Sequence, residues 1–173
     1  MFHINSCSNL TSFADKFIEY ILDNYYCKDK QILLNIPNNL TCNIGHVIEF
    51  CGFALEHYMM INNKTNLEKI ETILKNSLKL GLKKQGIPLF ICSKTGKATS
   101  PYFPWWTLPE SIRACTIGMH LGMNFEILQL WKKVDKAFFS NFWQANKSYA
   151  YQTINFDGPI DYVPATPDLD PGY

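Results

Sequence analysis

The chain has 173 residues, of which 47% are hydrophobic and 14% aromatic, and its formal net charge is +1. That is enough apolar material for one packed domain, residues 1–173. The lysines are scattered rather than gathered in a stripe, which excludes a general nucleic-acid or membrane-surface binder, and no apolar run is long enough to span a bilayer.

Taken in chain order, helical spacing dominates. The first predicted helix runs from Thr11 to Tyr25, with Phe13, Phe17, Ile18, Ile21 and Leu22 on one face. "IPNNLTCN" is a loop ending in Asn43, a good N-cap. A second helix follows from Ile44 to Ile61 and is apolar on nearly all sides, as expected of an inner helix wedged between neighbours. Thr65 and Glu68 of "TNLE" read as a capping box opening a third helix. That helix presents Leu67, Ile70, Ile73, Leu74 and Leu78 on one face and ends at Gly81. In "GIPLFICSKTGKATS" two extended runs flank Lys94-Thr95-Gly96, which predicts a small hairpin.

A fourth helix begins near Leu108, with Pro109 in its first turn, where a missing N–H costs nothing. Asn124 caps a fifth, amphipathic helix reaching about Trp143, with Leu128, Trp131, Val134 and Phe138 on one face. Beyond it, Tyr149 to Ile154 reads as a strand and Asp157-Gly158 as a turn. The order buried helix, amphipathic helix, hairpin occurs in a weak repeat. It predicts a mainly α architecture of inner and outer helix pairs.

The six cysteines, Cys7, Cys27, Cys42, Cys51, Cys92 and Cys115, contain no CxxC pair and no histidine at zinc spacing. No metal site is expected, and free, mostly buried thiols in a reduced cytoplasmic protein are. "MFHINSCSNL" does not read as a secretory signal.

Two groups of residues carry candidate chemistry. His46 and Glu49 lie three apart in the first turn of the second helix and therefore share a face. A carboxylate beside a neutral imidazole makes a proton-transfer base; the same spacing also fits a histidine hydrogen-bonded within a core. Trp105, Trp106, Glu110 and Arg113 form the second group. Indole faces suit the C–H faces of sugars, and Glu110 and Arg113 (the only arginine in the chain) again lie three apart. They can hold polar groups jointly or form a local ion pair between core tryptophans. Both groups open inner helices, so their side chains converge on one cleft if those helices run parallel.

"GHVIEF", a hairpin and then "PWWTLPESIRA" resemble the N-acylglucosamine 2-epimerase family of sugar epimerases and isomerases. Gly45, His46, Ile48 and Glu49 meet its Gly-His-x-Ile-Glu motif, and Trp105, Trp106 and Glu110 meet its Trp-Trp-x-x-x-Glu segment. Leu108 and Pro104 depart from the polar residues usual at their positions. The resemblance covers about Cys42 to Tyr173 and implies a C-terminal part of an (α/α)6 barrel, a six-hairpin toroid, at less than half of a complete ring.

It further implies proton transfer at the carbon beside a sugar carbonyl, with His46 as catalytic acid/base. Glu49 would orient His46 or contact substrate, Glu110 would bind hydroxyls or assist proton transfer, and Trp105, Trp106 and Arg113 would bind the sugar. No metal or nucleotide cofactor is required. The family's second histidine would fall close to the "PDLDPGY" end; His3, His57 and His120 do not match it. A truncated ring exposes apolar inner faces, so a complementary chain or a second copy is expected to cover them. Two further readings stay open: an α/α-barrel enzyme cleaving glycosides with Glu49 and Glu110 as paired carboxylates, and a non-catalytic helical module that binds carbohydrate or a partner.

Overall fold

A computed structural model describes residues 4–37 and 39–160. Five helices and four pairs of two-residue antiparallel strands follow one another. In chain order these are α1 (Ile4–Asn24), β1 (Tyr26–Cys27), β2 (Ile32–Leu33), β3 (Thr41–Cys42), α2 (Ile44–Met60), α3 (Leu67–Gly81), β4 (Ile91–Cys92), β5 (Phe103–Pro104), α4 (Thr107–His120), α5 (Phe125–Asn141), β6 (Trp143–Gln144), β7 (Tyr149–Ala150) and β8 (Thr153–Ile154). The pairs are β1–β2, β3–β4, β5–β8 and β6–β7.

The expected layering is present. α2 and α4 pack against each other as the inner pair, α3 backs α2, and α5 backs α4. α2 is buried at Ile44, Val47, Ile48, Cys51, Ala54, Leu55 and Tyr58, which span too much of its circumference for a surface helix. α3 buries Ile70, Ile73, Leu74 and Leu78; of its lysines Lys79 is exposed, while Lys69 reaches the Leu22 carbonyl and Lys75 pairs with Glu71.

Each inner helix is launched from a short strand, and this fixes where its first turn lies. β3 is held by β4, with Cys42 opposite Ile91, and leads straight into α2. β5 is held by β8, with Phe103 opposite Ile154, and leads through Trp105 and Trp106 into α4. Asn43 caps α2 as expected: its side-chain oxygen accepts the His46 amide, and its own amide donates to Asn35 Oδ1 at 2.7 Å. Asn124 caps α5 in the same way, accepting from the Glu126 amide at 2.9 Å.

Three sequence expectations need correction. Phe13 and Phe17 are not on the buried face of α1; they are 68% and 50% exposed, while Ile18 and Leu22 carry the packing. The Thr65–Glu68 box does not cap α3: Asn66 holds the N-cap position in the left-handed region at φ 62° with no side-chain bond to the helix, and its amide reaches Tyr58 Oη instead. On α5 the core face is Ile127, Leu130, Val134 and Ala137, displaced from Leu128, Trp131 and Phe138, which are only half-buried.

The hairpin around Lys94-Thr95-Gly96 does form. Ile91 bridges Ala98, and Gly96, at φ +69°, makes the turn where a Cβ would meet Leu80. Its first run also pairs with β3, which sequence spacing did not indicate. The strand expected over Tyr149–Ile154 is two short ones, β7 and β8. No described helix is long and apolar enough to cross a membrane. His3 and the "PDLDPGY" stretch lie outside the described residues.

Candidate functional site

The two inner helices run parallel and in register. A Cβ added at Gly45 would lie 2.7 Å from Thr107 Cγ2 and 3.0 Å from Trp106 Cη2. Two turns on, one added at Gly52 would lie 3.0 Å from Arg113 Nη2 and 3.3 Å from Ala114 Cβ. The offset is the same at both crossings, 61 and 62 positions. Glycine at 45 and 52 permits this approach, and the register brings the first turns of α2 and α4 together and sets Glu49 level with Glu110.

At the head of α2, His46 Nδ1 lies 3.0 Å from Glu49 Oε2, and the two side chains are 45% and 16% exposed. Because a carboxylate oxygen accepts, Nδ1 is the donor of this pair and Nε2 is left outside it. The His46 ring lies tilted against Trp106, at 5.0 Å between centroids and 31° between planes. Trp106 is 2% exposed, and its indole N–H is buried without a hydrogen-bond partner. Of the two tryptophans, only Trp106 is brought onto His46; Trp105 packs against the core and its amide donates to Gln152.

On the flank away from α4, His46 lines a groove of about 270 Å³ shared with Tyr25, Leu33, Asn35 and Phe50. The histidine is therefore accessible, held between an indole and an open, mainly apolar groove.

At the head of α4, Glu110 Oε2 accepts from both Arg113 Nε at 2.9 Å and Arg113 Nη2 at 2.7 Å, which is the expected pair three residues apart. Arg113 Nη1 also crosses to α2 and donates to Glu56 Oε2 at 3.0 Å. The guanidinium lies over the ring of Phe53 at 4.4 Å. Sequence reasoning missed Gly52, Phe53 and Glu56. The signal was available in part: positions 46, 49, 53 and 56 repeat at helical spacing and define one stripe of α2.

The other described histidines are elsewhere. His57 Nε2 pairs with Asp15 Oδ1 at 2.8 Å and ties α2 to α1, and His120 ends α4. No group of three or more metal-ligating side chains occurs among the described residues. Burial pushes the Cys42 thiol up to about 11 and the Cys115 thiol up to about 12. Cys51, completely enclosed and close to Cys115, is pushed up as well. Cys92 moves the other way, because the Thr95 side chain and the amides of its turn stabilise the thiolate.

No family model matches the sequence, and no curated protein matches it. Solved structures do. The chain superposes on a cellobiose 2-epimerase from Bacillus thermoamylovorans with a TM-score of 0.71 at 15% identity, covering 88% of this chain and 41% of that one. It superposes on a sugar epimerase from a ruminal bacterium with a TM-score of 0.69 at 18% identity, covering 85% of this chain and 40% of that one. The chain thus spans about two-fifths of the length of these structures, and over that length its fold is similar to that of the sugar epimerases.

Proposed function

We propose that this chain carries one side of a sugar-binding cleft, as the C-terminal part of an (α/α)6 toroid, and moves a proton at the carbon beside a sugar carbonyl, as a 2-epimerase or aldose–ketose isomerase does. The observation that supports this best is His46: exposed, fixed through Nδ1 by Glu49 and tilted against Trp106. Solved neighbours that are sugar epimerases agree with it.

Nε2 of His46 takes the proton from the carbon. The electron pair moves into a carbon–carbon double bond and the carbonyl oxygen becomes an enediolate. Glu49 stabilises the imidazolium that results. Glu110, with Oε2 occupied by Arg113, offers its other oxygen to a sugar hydroxyl. Return of the proton to the neighbouring carbon from the same face, as the C2 hydroxyl proton passes to the C1 oxygen and C2 becomes the carbonyl, gives the ketose. Its return to the original carbon from the opposite face gives the epimer and needs a second acid, which none of the histidines described at this cleft supplies. We assign that acid to the part of the toroid outside the described residues, and the cover for exposed apolar residues such as Phe13 and Phe17 to a complementary chain or a second copy.

Exchange of the C2 proton of mannose or cellobiose for deuterium, catalysed by the full chain with its complement restored and lost in His46→Ala with sugar binding intact, is the expected result. No exchange with any aldose removes the proposal and leaves the binding module; unchanged exchange in His46→Ala removes His46 as the base. The level placement of Glu49 and Glu110 favours a second reading, glycoside cleavage by paired carboxylates; release of a new reducing end in place of a C2 epimer or ketose identifies it.

A further inference from the structure

The guanidinium of Arg113 has no freedom of position. Nε and Nη2 are committed to Glu110 on its own helix, Nη1 to Glu56 on the neighbouring one, and its face to the Phe53 ring. The fourth side is closed by the backbone at Gly52. A Cβ there would lie 3.0 Å from Nη2 and 3.2 Å from Cζ, so the missing side chain is the notch in which the guanidinium sits. An arginine held by two carboxylates from two helices is poorly placed to bind an incoming ligand. It is well placed to fix one of those carboxylates.

We propose that Glu56 is a positioning residue: with Gly52 as notch and Phe53 as platform it locks Arg113, and through Arg113 it sets the direction of the Glu110 carboxylate at the mouth of the cleft. Arg113 is then an internal strut between α2 and α4 and not the sugar ligand that the sequence led us to expect. For its bearing on catalysis this rests on the reading of the cleft as a sugar site; for its geometry it does not.

The strut has a convenient probe. Arg113 is the sole arginine, so the isotope-labelled full chain yields one Nε–Hε resonance that needs no assignment. In the unmodified chain Hε is expected to exchange slowly with solvent. Glu56→Ala should speed that exchange about tenfold, the loss associated with one charge-assisted hydrogen bond, and should move the side-chain carboxyl resonance of Glu110. Glu56→Gln, whose amide oxygen still accepts from Nη1, should restore both, which loss of fold would not. Gly52→Ala should mimic Glu56→Ala while α2 keeps its helical signal.

With mannose as probe, Glu56→Ala should lower kcat/KM for C2 exchange about tenfold and Glu56→Gln should recover most of it. Fast Hε exchange in the unmodified chain, or an unmoved Glu110 resonance in Glu56→Ala, overturns the strut whatever the sugar does. A responsive strut with unaltered kcat and KM overturns its role in positioning. A responsive strut in a chain that neither binds nor exchanges any sugar overturns the proposed function and leaves the strut standing.

Discussion

The ring of His46, in the first turn of α2, lies 5.0 Å from the indole of Trp106, the residue before α4 and sixty positions on in sequence. Neither could reach the other unless the first turns of α2 and α4 were level. Glycine at 45 and at 52 leaves room there for the side chains of Trp106 and Thr107 and of Arg113 and Ala114.

Gly45→Ala tests that approach. Its Cβ would press on Thr107 and on the buried Trp106 ring. Alanine favours a helix over glycine by about 1 kcal/mol, yet overpacking here should outweigh it, for a net loss of about 1–2 kcal/mol. Urea denaturation measures the difference. A stabilised variant would show that the two helix starts have room to part.

Removing the imidazole should act on chemistry alone. The His46 side chain is 45% exposed, so His46→Gln should leave the unfolding free energy within about 0.5 kcal/mol of the parent. C2 exchange should fall by at least about a hundredfold, the usual worth of a general base. Circular dichroism and proton–deuteron exchange on the same sample separate the two effects.

The cap of α2 is the third test. Asn43→Ala removes the acceptor for the His46 amide and should cost about 1 kcal/mol. Because that amide belongs to the candidate base itself, exchange should weaken along with stability, whereas Asn124→Ala, at the equivalent cap of α5, should lower stability only.

The thiols predict a pH profile. Cys42 and Cys115 are pushed up from 9.0 to about 11 and about 12 by burial, so the folded chain holds these protons more tightly than the unfolded chain does. Their contribution is fully present below pH 9 and is lost as the pH rises from 9 toward 12. Stability should fall across that window, and Cys42→Ser with Cys115→Ala should flatten the fall. Iodoacetamide near neutral pH should label Cys92 first and spare both buried thiols until the chain unfolds; early labelling of Cys115 would contradict its burial.

α1 offers the last prediction. Leu10, Phe13, Phe17 and Tyr20 form an exposed apolar stripe on it, and Phe13 and Phe17 stack at 6.4 Å. Phe13→Ser with Phe17→Ser should reduce self-association in sedimentation velocity without lowering the unfolding midpoint. Association unchanged by that pair would place the contact elsewhere.

Local chemistry was legible in the sequence wherever a residue acts on its immediate neighbours. Asn43 and Asn124 announced two helix starts because capping needs only an oxygen within three residues. His46 and Glu49 announced a pair, as did Glu110 and Arg113, because helical pitch alone sets three-apart side chains together. The same reasoning failed where a neighbouring element competes. Asn66 holds the N-cap position of α3 while its side-chain amide reaches Tyr58 at the end of α2, and the apolar face of α1 was misassigned because periodicity marks a stripe but not which side of it another helix will cover.

What the amino-acid order determined by itself is thus the set of helices, the caps of α2 and α5, and the polar pairs within single turns. Only the packed chain decided that Trp106 and not Trp105 meets His46, that Glu56 reaches across to Arg113, and that Gly45 and Gly52 are points of contact. Those outcomes depend on the register between α2 and α4, which is fixed by close packing of surfaces far apart in sequence; periodicity marks the stripe on α2 but not what meets it.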